Sequence, residues 1–213
     1  MKKIILFLIS ILIGITLTIA YTKLTTAKQI QQIKKASIKV SQFSIQTAPK
    51  QSLKGDIISL IGDVQWQSRV ATQASKITQP QSIQQGENIV TGINGRTTIQ
   101  FPSVAIITIP TNTEVDFVQT LPADIVMNQS HGTAQYEKQG TTSLSVRSFH
   151  LLMQVDGEAA ITTDSTYDTV IANVLKGSVI AAFDDQQNVS NVVTIYAGNK
   201  YVFDDDNRSG EIQ

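Results

Sequence analysis

The sequence predicts an all-β domain, a short β-helix or β-roll of stacked strands with a β-sandwich as the alternative, preceded by one N-terminal transmembrane helix. Three observations carry this. Residues 86–118 hold three β-forming runs with short turns between them. Gly62, Gly86, Gly132, Gly157, Gly177 and Gly198 are spaced by 24, 46, 25, 20 and 21 residues, the 46 being about two of the others. Recurrence at about 20–25 residues suggests repeated β turns. Finally, residues 4–21 carry no charge and no proline.

That apolar run is the first element. Eighteen helical residues rise about 27 Å, close to the hydrocarbon thickness of a bilayer. Residues 1–21 are therefore expected to form an uncleaved anchor, with Ile4, Leu8, Ile11, Ile15 and Ile19 facing lipid. The alternative is a cleaved signal peptide and a secreted or periplasmic product. Residues 22–54, rich in Thr, Gln, Lys and Ser, are expected to be a basic polar stalk.

Charge divides the chain at the same place. Residues 1–55 contain nine lysines and no acid, whereas the remainder carries eight basic residues against seventeen acidic ones, a formal −9. An acidic body argues against nucleic-acid binding, which needs a basic face to neutralise phosphates. The lysines beside the anchor suit anionic lipid heads, worth about 1 kcal/mol each near the surface.

A β domain is expected over residues 55–205, with a flexible tail over 206–213. It opens on Asp56-Ile57-Ile58-Ser59-Leu60-Ile61, and Val64 and Trp66 share a face, with Trp66 expected as a core plug. Residues 69–85 are a Gln- and Ser-rich loop anchored by Ile77 and Ile83. Residues 86–101 are expected to form strand, turn and strand, with Asn94-Gly95 supplying a tight hairpin turn at positive φ. After it, Thr97, Ile99 and Phe101 alternate with Arg96, Thr98 and Gln100, and beyond Pro110, Val115 and Phe117 alternate with Glu114 and Asp116. Leu144 and Val146 alternate with Ser143, Ser145 and Arg147. The phase flips at Ser148-Phe149, which predicts a bulge or bend. Strands over 151–155, 169–175, 179–183 and 192–196 complete the set.

The order Gly86…Ile89-Val90-Thr91-Gly92…Gly95-Arg96…Ile99…Phe101…Ile107-Thr108-Ile109…Asn112-Thr113-Glu114 resembles the FecR domain, an extracytoplasmic β module of bacteria. Val155-Asp156-Gly157, Val174-Leu175-Lys176-Gly177 and Tyr196-Ala197-Gly198 are similar to it as well. Pro102-Ser103-Val104 stands where that family has Asp-Gly-Ser. The resemblance implies fold-determining roles for Gly86, Thr91, Gly92, Gly95, Arg96, Phe101, Asn112 and Thr113. It also implies a body outside the cytoplasm on a single-pass anchor. Classical FecR-type regulators control a sigma factor through a cytoplasmic segment. Here Met1-Lys2-Lys3 is too short to do so, and signalling is expected only through a second membrane protein.

Catalytic signals are sparse. His131 and His150 lack metal-ligand spacing, and there is no cysteine, phosphate loop or G-x-S-x-G elbow. Asp204-Asp205-Asp206-Asn207-Arg208-Ser209-Gly210-Glu211 is similar to a calcium loop, but Arg208 stands where an oxygen ligand is needed. The expectation is a non-enzymatic binding module of the cell envelope without cofactor. Its partners would be membrane lipid through the N-terminal helix and an envelope protein or cell-wall polymer, with a structural surface role as the alternative.

Overall fold

The computed structural model describes residues 50–213. The expected anchor, with Ile4, Leu8, Ile11, Ile15 and Ile19, and residues 22–49 of the expected stalk lie outside the described residues.

Fifteen strands follow one another: β1 (Gly55–Ile61), β2 (Val64–Gln67), β3 (Ser75–Lys76), β4 (Ser82–Ile83), β5 (Asn88–Thr91), β6 (Arg96–Phe101), β7 (Ala105–Ile109), β8 (Thr113–Thr120), β9 (Asp124–Lys138), β10 (Ser143–Ser148), β11 (Leu151–Asp164), β12 (Thr169–Asp184), β13 (Ser190–Tyr196), β14 (Lys200–Asp204) and β15 (Ser209–Ile212). They pair into one sheet that creases into two layers. The first layer runs β3, β2, β5, β8, the start of β9, β10, the start of β11, the end of β12, and β13. The second runs β4, β1, β6, β7, the end of β9, the end of β11, the start of β12, β14 and β15. Every pairing is antiparallel except β9 with β10. The expected all-β fold is thus a rolled sheet enclosing the two-layer core of a sandwich.

Two creases at opposite ends of the layers, one through Gly62, Asn112 and Gly132 and the other through Gly157, Gly177 and Gly198, explain the glycine spacing. Gly62, Gly86, Gly132, Gly157, Gly177 and Gly198 all have positive φ. All but Gly86 lie where the chain passes between layers. The long interval is filled by Asn112, at φ 50°, which turns β7 into β8. Asparagine tolerates the left-handed region better than most residues. The intervals Asn112 to Gly132, Gly157 to Gly177 and Gly177 to Gly198 are each a lap from a crease to the rim and back, whereas Gly132 to Gly157 carries the chain through β10 to the opposite crease. Two strands also insert one residue at a crease: Ser130 of β9 lies between the pairs Glu114↔His131 and Val115↔Gln129, and Leu175 of β12 between Glu158↔Lys176 and Ala159↔Val174. The insertion shifts the inward phase, from Ile125, Met127 and Gln129 to Ala134 and Tyr136 in β9.

The enclosed faces meet across the layers. Phe101 of β6 tilts against Phe117 of β8 with ring centroids 5.9 Å apart, and Phe183 of β12 against Phe203 of β14 at 4.9 Å. Phe101, Phe117 and Phe203 are fully buried and contribute about 1.5–3 kcal/mol each, with Phe183 partly buried against them. Trp66 packs against this core, and Ile77 and Ile83 are the buried anchors of the segment between β2 and β5.

Several expectations are corrected. Asn94-Gly95 does not join a hairpin: β5 pairs with β2 and β8, and β6 with β1 and β7, so the turn carries the chain from one layer to the other. Gly95 is absent from the positive-φ positions. A Cβ there would lie 2.0 Å from the Asp63 carbonyl oxygen, so close approach of backbone is what requires glycine. The phase flip at Ser148-Phe149 marks the end of β10, and Phe149-His150 turns the chain into β11, with Phe149 at φ 49°. Ser209–Ile212, expected in a flexible tail, forms β15 against β14. Leu53, assigned to the stalk, packs on the core, and its N–H donates to the Thr120 carbonyl at 2.6 Å.

Acid sensitivity follows from three carboxylates. The Val189 N–H, with the Asn191 amide and Gln187 N–H, holds Asp185 below its ordinary value, and the Asn207 N–H and side-chain amide do the same for Asp204. Glu158 is lowered by hydrogen bonds from Lys176 and Gln135, both 2.6 Å. Lowered carboxylates contribute stability above the ordinary carboxyl range, and lose it as pH falls through the folded value. The melting temperature is expected to hold down to pH about 5 and to fall below pH about 4. A scan of Asp204→Ala beside the parent checks this, and identical acid limbs would refute it.

Candidate functional site

Five of the eight residues singled out by the FecR resemblance meet at one crease. Thr91, buried at the end of β5, accepts the Thr113 N–H at 3.0 Å, and its hydroxyl faces the carbonyls of Pro110 and Thr113. The Gly92 N–H donates to Asp63 O at 2.8 Å, while Gly92 O accepts from Gly95 and Asn112 at 3.0 and 3.2 Å. Thr113 Oγ1 accepts the Thr133 N–H at 3.1 Å. These residues stitch four crossings together, and their chemistry is spent on backbone groups. The other three are dispersed. Phe101 sits in the core, Arg96 is exposed at the start of β6, and Gly86 lies in the turn before β5.

Gly86 leads to the candidate site. It lines a groove of about 400 Å³ with Glu87, Asp116, Phe117, Val118, Val126, Asn128 and Arg147. The groove lies over β8, β9 and β10, on the face that alternation turns away from the core. Asp116, Asn128 and Arg147 are register neighbours, and Asn88 of β5 continues the row.

Hydrogen bonds hold this row rigid. Asn88 Nδ2 donates to Glu114 Oε1 at 2.9 Å and to Asp116 Oδ1 at 2.6 Å. Asn128 Nδ2 donates to Asp116 Oδ2 at 3.0 Å. Two carboxylates around Nδ2 fix the Asn88 amide orientation, because its oxygen would be repelled there. Asn88 Oδ1 is consequently enclosed with no donor among the described residues. Glu87 Oε2 accepts the Gln84 N–H at 2.8 Å, and the Glu87 and Phe117 backbones bond to each other at 2.9 Å, which locks the groove wall.

Arg147 differs from its neighbours. It is exposed, and among the described residues it forms no ion pair. A planar guanidinium lining a groove together with carboxylate acceptors and with Val118 and Val126 can grip an anionic group in a forked pair. The carboxylates then accept from the ligand's N–H or O–H groups.

The histidines stand apart from the groove lining. His131 Nδ1 lies 3.5 Å from Glu114 Oε2 at the crease. The His150 ring meets Asp205 Oδ2 at 2.9 Å, and the His150 N–H donates to Asp205 Oδ1 at 3.0 Å, which ties the β10–β11 turn to the β14–β15 turn. Among the described residues no cluster of His, Asp and Glu could hold a metal ion. Sequence reading identified Asp116 and Arg147 only as outward positions. Their convergence depends on strand order, and on the parallel β9–β10 pairing in particular.

No protein-family model matches the chain, and no curated protein does. Among solved structures, two crystal structures of a "putative anti-sigma factor" from Parabacteroides distasonis, at 1.65 and 2.50 Å resolution, are similar to it. Each superposes with a TM-score of 0.49 and 11% identity over 59% of this chain and 58% of that one.

Proposed function

We propose that the β domain is a non-catalytic binding module of the cell envelope, carried outside the cytoplasm by the N-terminal apolar segment. The observation that carries this is the groove lined by Arg147 together with Asp116 and Glu87. It suits a chain bearing carboxylates together with amide or hydroxyl donors, the chemistry of a peptide-substituted wall polysaccharide. Rigid carboxylates, each already accepting hydrogen bonds, favour recognition over proton transfer. Signalling through a second membrane protein would use the same groove as its sensor.

The test uses full-length protein in detergent and enzymatically solubilised cell-wall fragments, followed by calorimetry. Arg147→Ala is expected to weaken binding by about tenfold or more, the scale of a charge-assisted hydrogen bond. Protease shaving of intact cells should digest the body. Absence of fragment binding sinks the ligand class, and a fully protected body sinks the location.

A further inference from the structure

Four strands end the two layers, and three of them are poor templates for another strand. β3 and β4 have two residues each, and β15 has four, including Gly210 and Glu211. The fourth, β13, is different. Its seven residues, Ser190-Asn191-Val192-Val193-Thr194-Ile195-Tyr196, include no charge, proline or glycine, and among the described residues it pairs on one side alone, with β12. Exposed edges of this kind are normally blunted by charge, proline or shortness, because their unpaired N–H and C=O groups invite a further strand.

The phase of the ladder shows which groups are offered. Ala197 N–H donates to Gly177 O and Asp185 N–H to Val189 O, both at 3.0 Å, at the two ends of the β12–β13 ladder. The bonded residues of β13 are therefore Asn191, Val193 and Ile195. Antiparallel alternation turns the backbone groups of Ser190, Val192 and Thr194, and the Tyr196 N–H, to the open side. The Tyr196 carbonyl is taken by Asn199 at 3.2 Å. Val192 and Tyr196 are 67% and 66% exposed, and Leu152 and Ile180 continue this apolar surface across β11 and β12.

The geometry points to a second copy of this chain as the occupant, joined β13 to β13 in antiparallel register about a two-fold axis at Val193. In that register Val192 faces Thr194 of the other copy and Ser190 faces Tyr196, so open donors meet open acceptors in about six backbone hydrogen bonds. Charge selects the direction. Asp184 and Asp185 lie at the Ser190 end, and Lys200, which makes no ion pair among the described residues, lies just past the Tyr196 end. Antiparallel pairing brings the acidic turn of each copy to the basic end of the other. Parallel pairing would set acid against acid. The first layers of both copies become one continuous sheet, and the groove over β8 to β10 stays open on each.

The chain contains no cysteine, which permits a direct test on full-length protein in detergent. Val193→Cys is expected to form a disulfide-linked dimer on mild oxidation, because facing residues on the axis come within about 4.5 Å between Cα atoms. Thr98→Cys, on the outer face of the second layer, should remain uncrosslinked. Val192→Pro removes a donor that faces the open edge, and Thr194→Lys adds an edge charge. Both should sediment as monomers with the parent's melting temperature. A monomeric parent, a dimer that survives both edge variants, or equal crosslinking at residues 193 and 98 would each overturn the inference. A monomer whose β13 amides still resist hydrogen exchange would assign the edge to another segment of the same chain.

Discussion

Gly177→Ala is expected to destabilise the folded domain by about 3 kcal/mol, measured by urea denaturation with Trp66 fluorescence. Gly177 lies on the crease it shares with Gly157, at φ +70°, where a Cβ would stand 2.0 Å from the Asp156 carbonyl oxygen and 3.2 Å from the Gly157 Cα. Two effects add. Left-handed backbone costs an L-residue about 1–2 kcal/mol, and forcing an atom into a packed site costs about 1–3 kcal/mol. The obstacle is backbone on the facing strand, so no rotamer change relieves it. Gly198→Ala is the matched control, since Gly198 has φ +89° and open space around a Cβ. It should cost only the conformational part, about 1 kcal/mol. Equal losses at the two positions would show that close packing at the crease contributes nothing.

Gln129→Leu is expected to cost about 3–5 kcal/mol although it nearly preserves volume. Gln129 is buried between the layers, where its Nε2 donates to Gly132 O at 2.8 Å and Ile161 O at 3.0 Å. Its Oε1 accepts the Tyr136 hydroxyl at 2.8 Å. Leucine strands all three partners, and each buried polar group left without its partner costs about 1–3 kcal/mol. Tyr136→Phe alone should cost about 1–2 kcal/mol by orphaning Oε1. In the Gln129→Leu background the same change should be neutral or stabilising, because the orphaned hydroxyl is gone. A double-mutant cycle reads the coupling directly, and additive losses would dissolve the network. Burial also pushes the Tyr136 phenol above its ordinary value. Its contribution is therefore complete below pH about 10 and is lost in strong alkali.

Gln129 marks where sequence reasoning stops. It stands at an inward position of an alternating run, where an apolar residue is the default expectation. Nothing local indicates that the Tyr136 hydroxyl and two carbonyls converge on it. The groove is similar. Glu114 and Asp116 are legible as outward residues of β8 and Arg147 of β10, yet their neighbours are chosen by the order β5, β8, β9, β10. The parallel β9–β10 step depends on a crossover that no turn motif announces. Asn94-Gly95 shows the opposite error. Its composition fits a hairpin turn, but local preference gave way to pairing across the crease, and glycine is required there by a neighbouring carbonyl.

By itself, the sequence determined the β class, the inward apolar positions of most strands and the recurrence of glycines where the chain turns. All of these are local. They follow from side-chain alternation and from the steric freedom of one residue. Tertiary structure decided that those glycines, Gly86 apart, fall on two creases at opposite ends of the layers, that β9, β11 and β12 each serve two layers, and that Glu87, Asp116, Asn128 and Arg147 border one groove. Such relations join residues tens of positions apart. They are set by which strands exchange hydrogen bonds, a choice that every strand's alternating pattern leaves open.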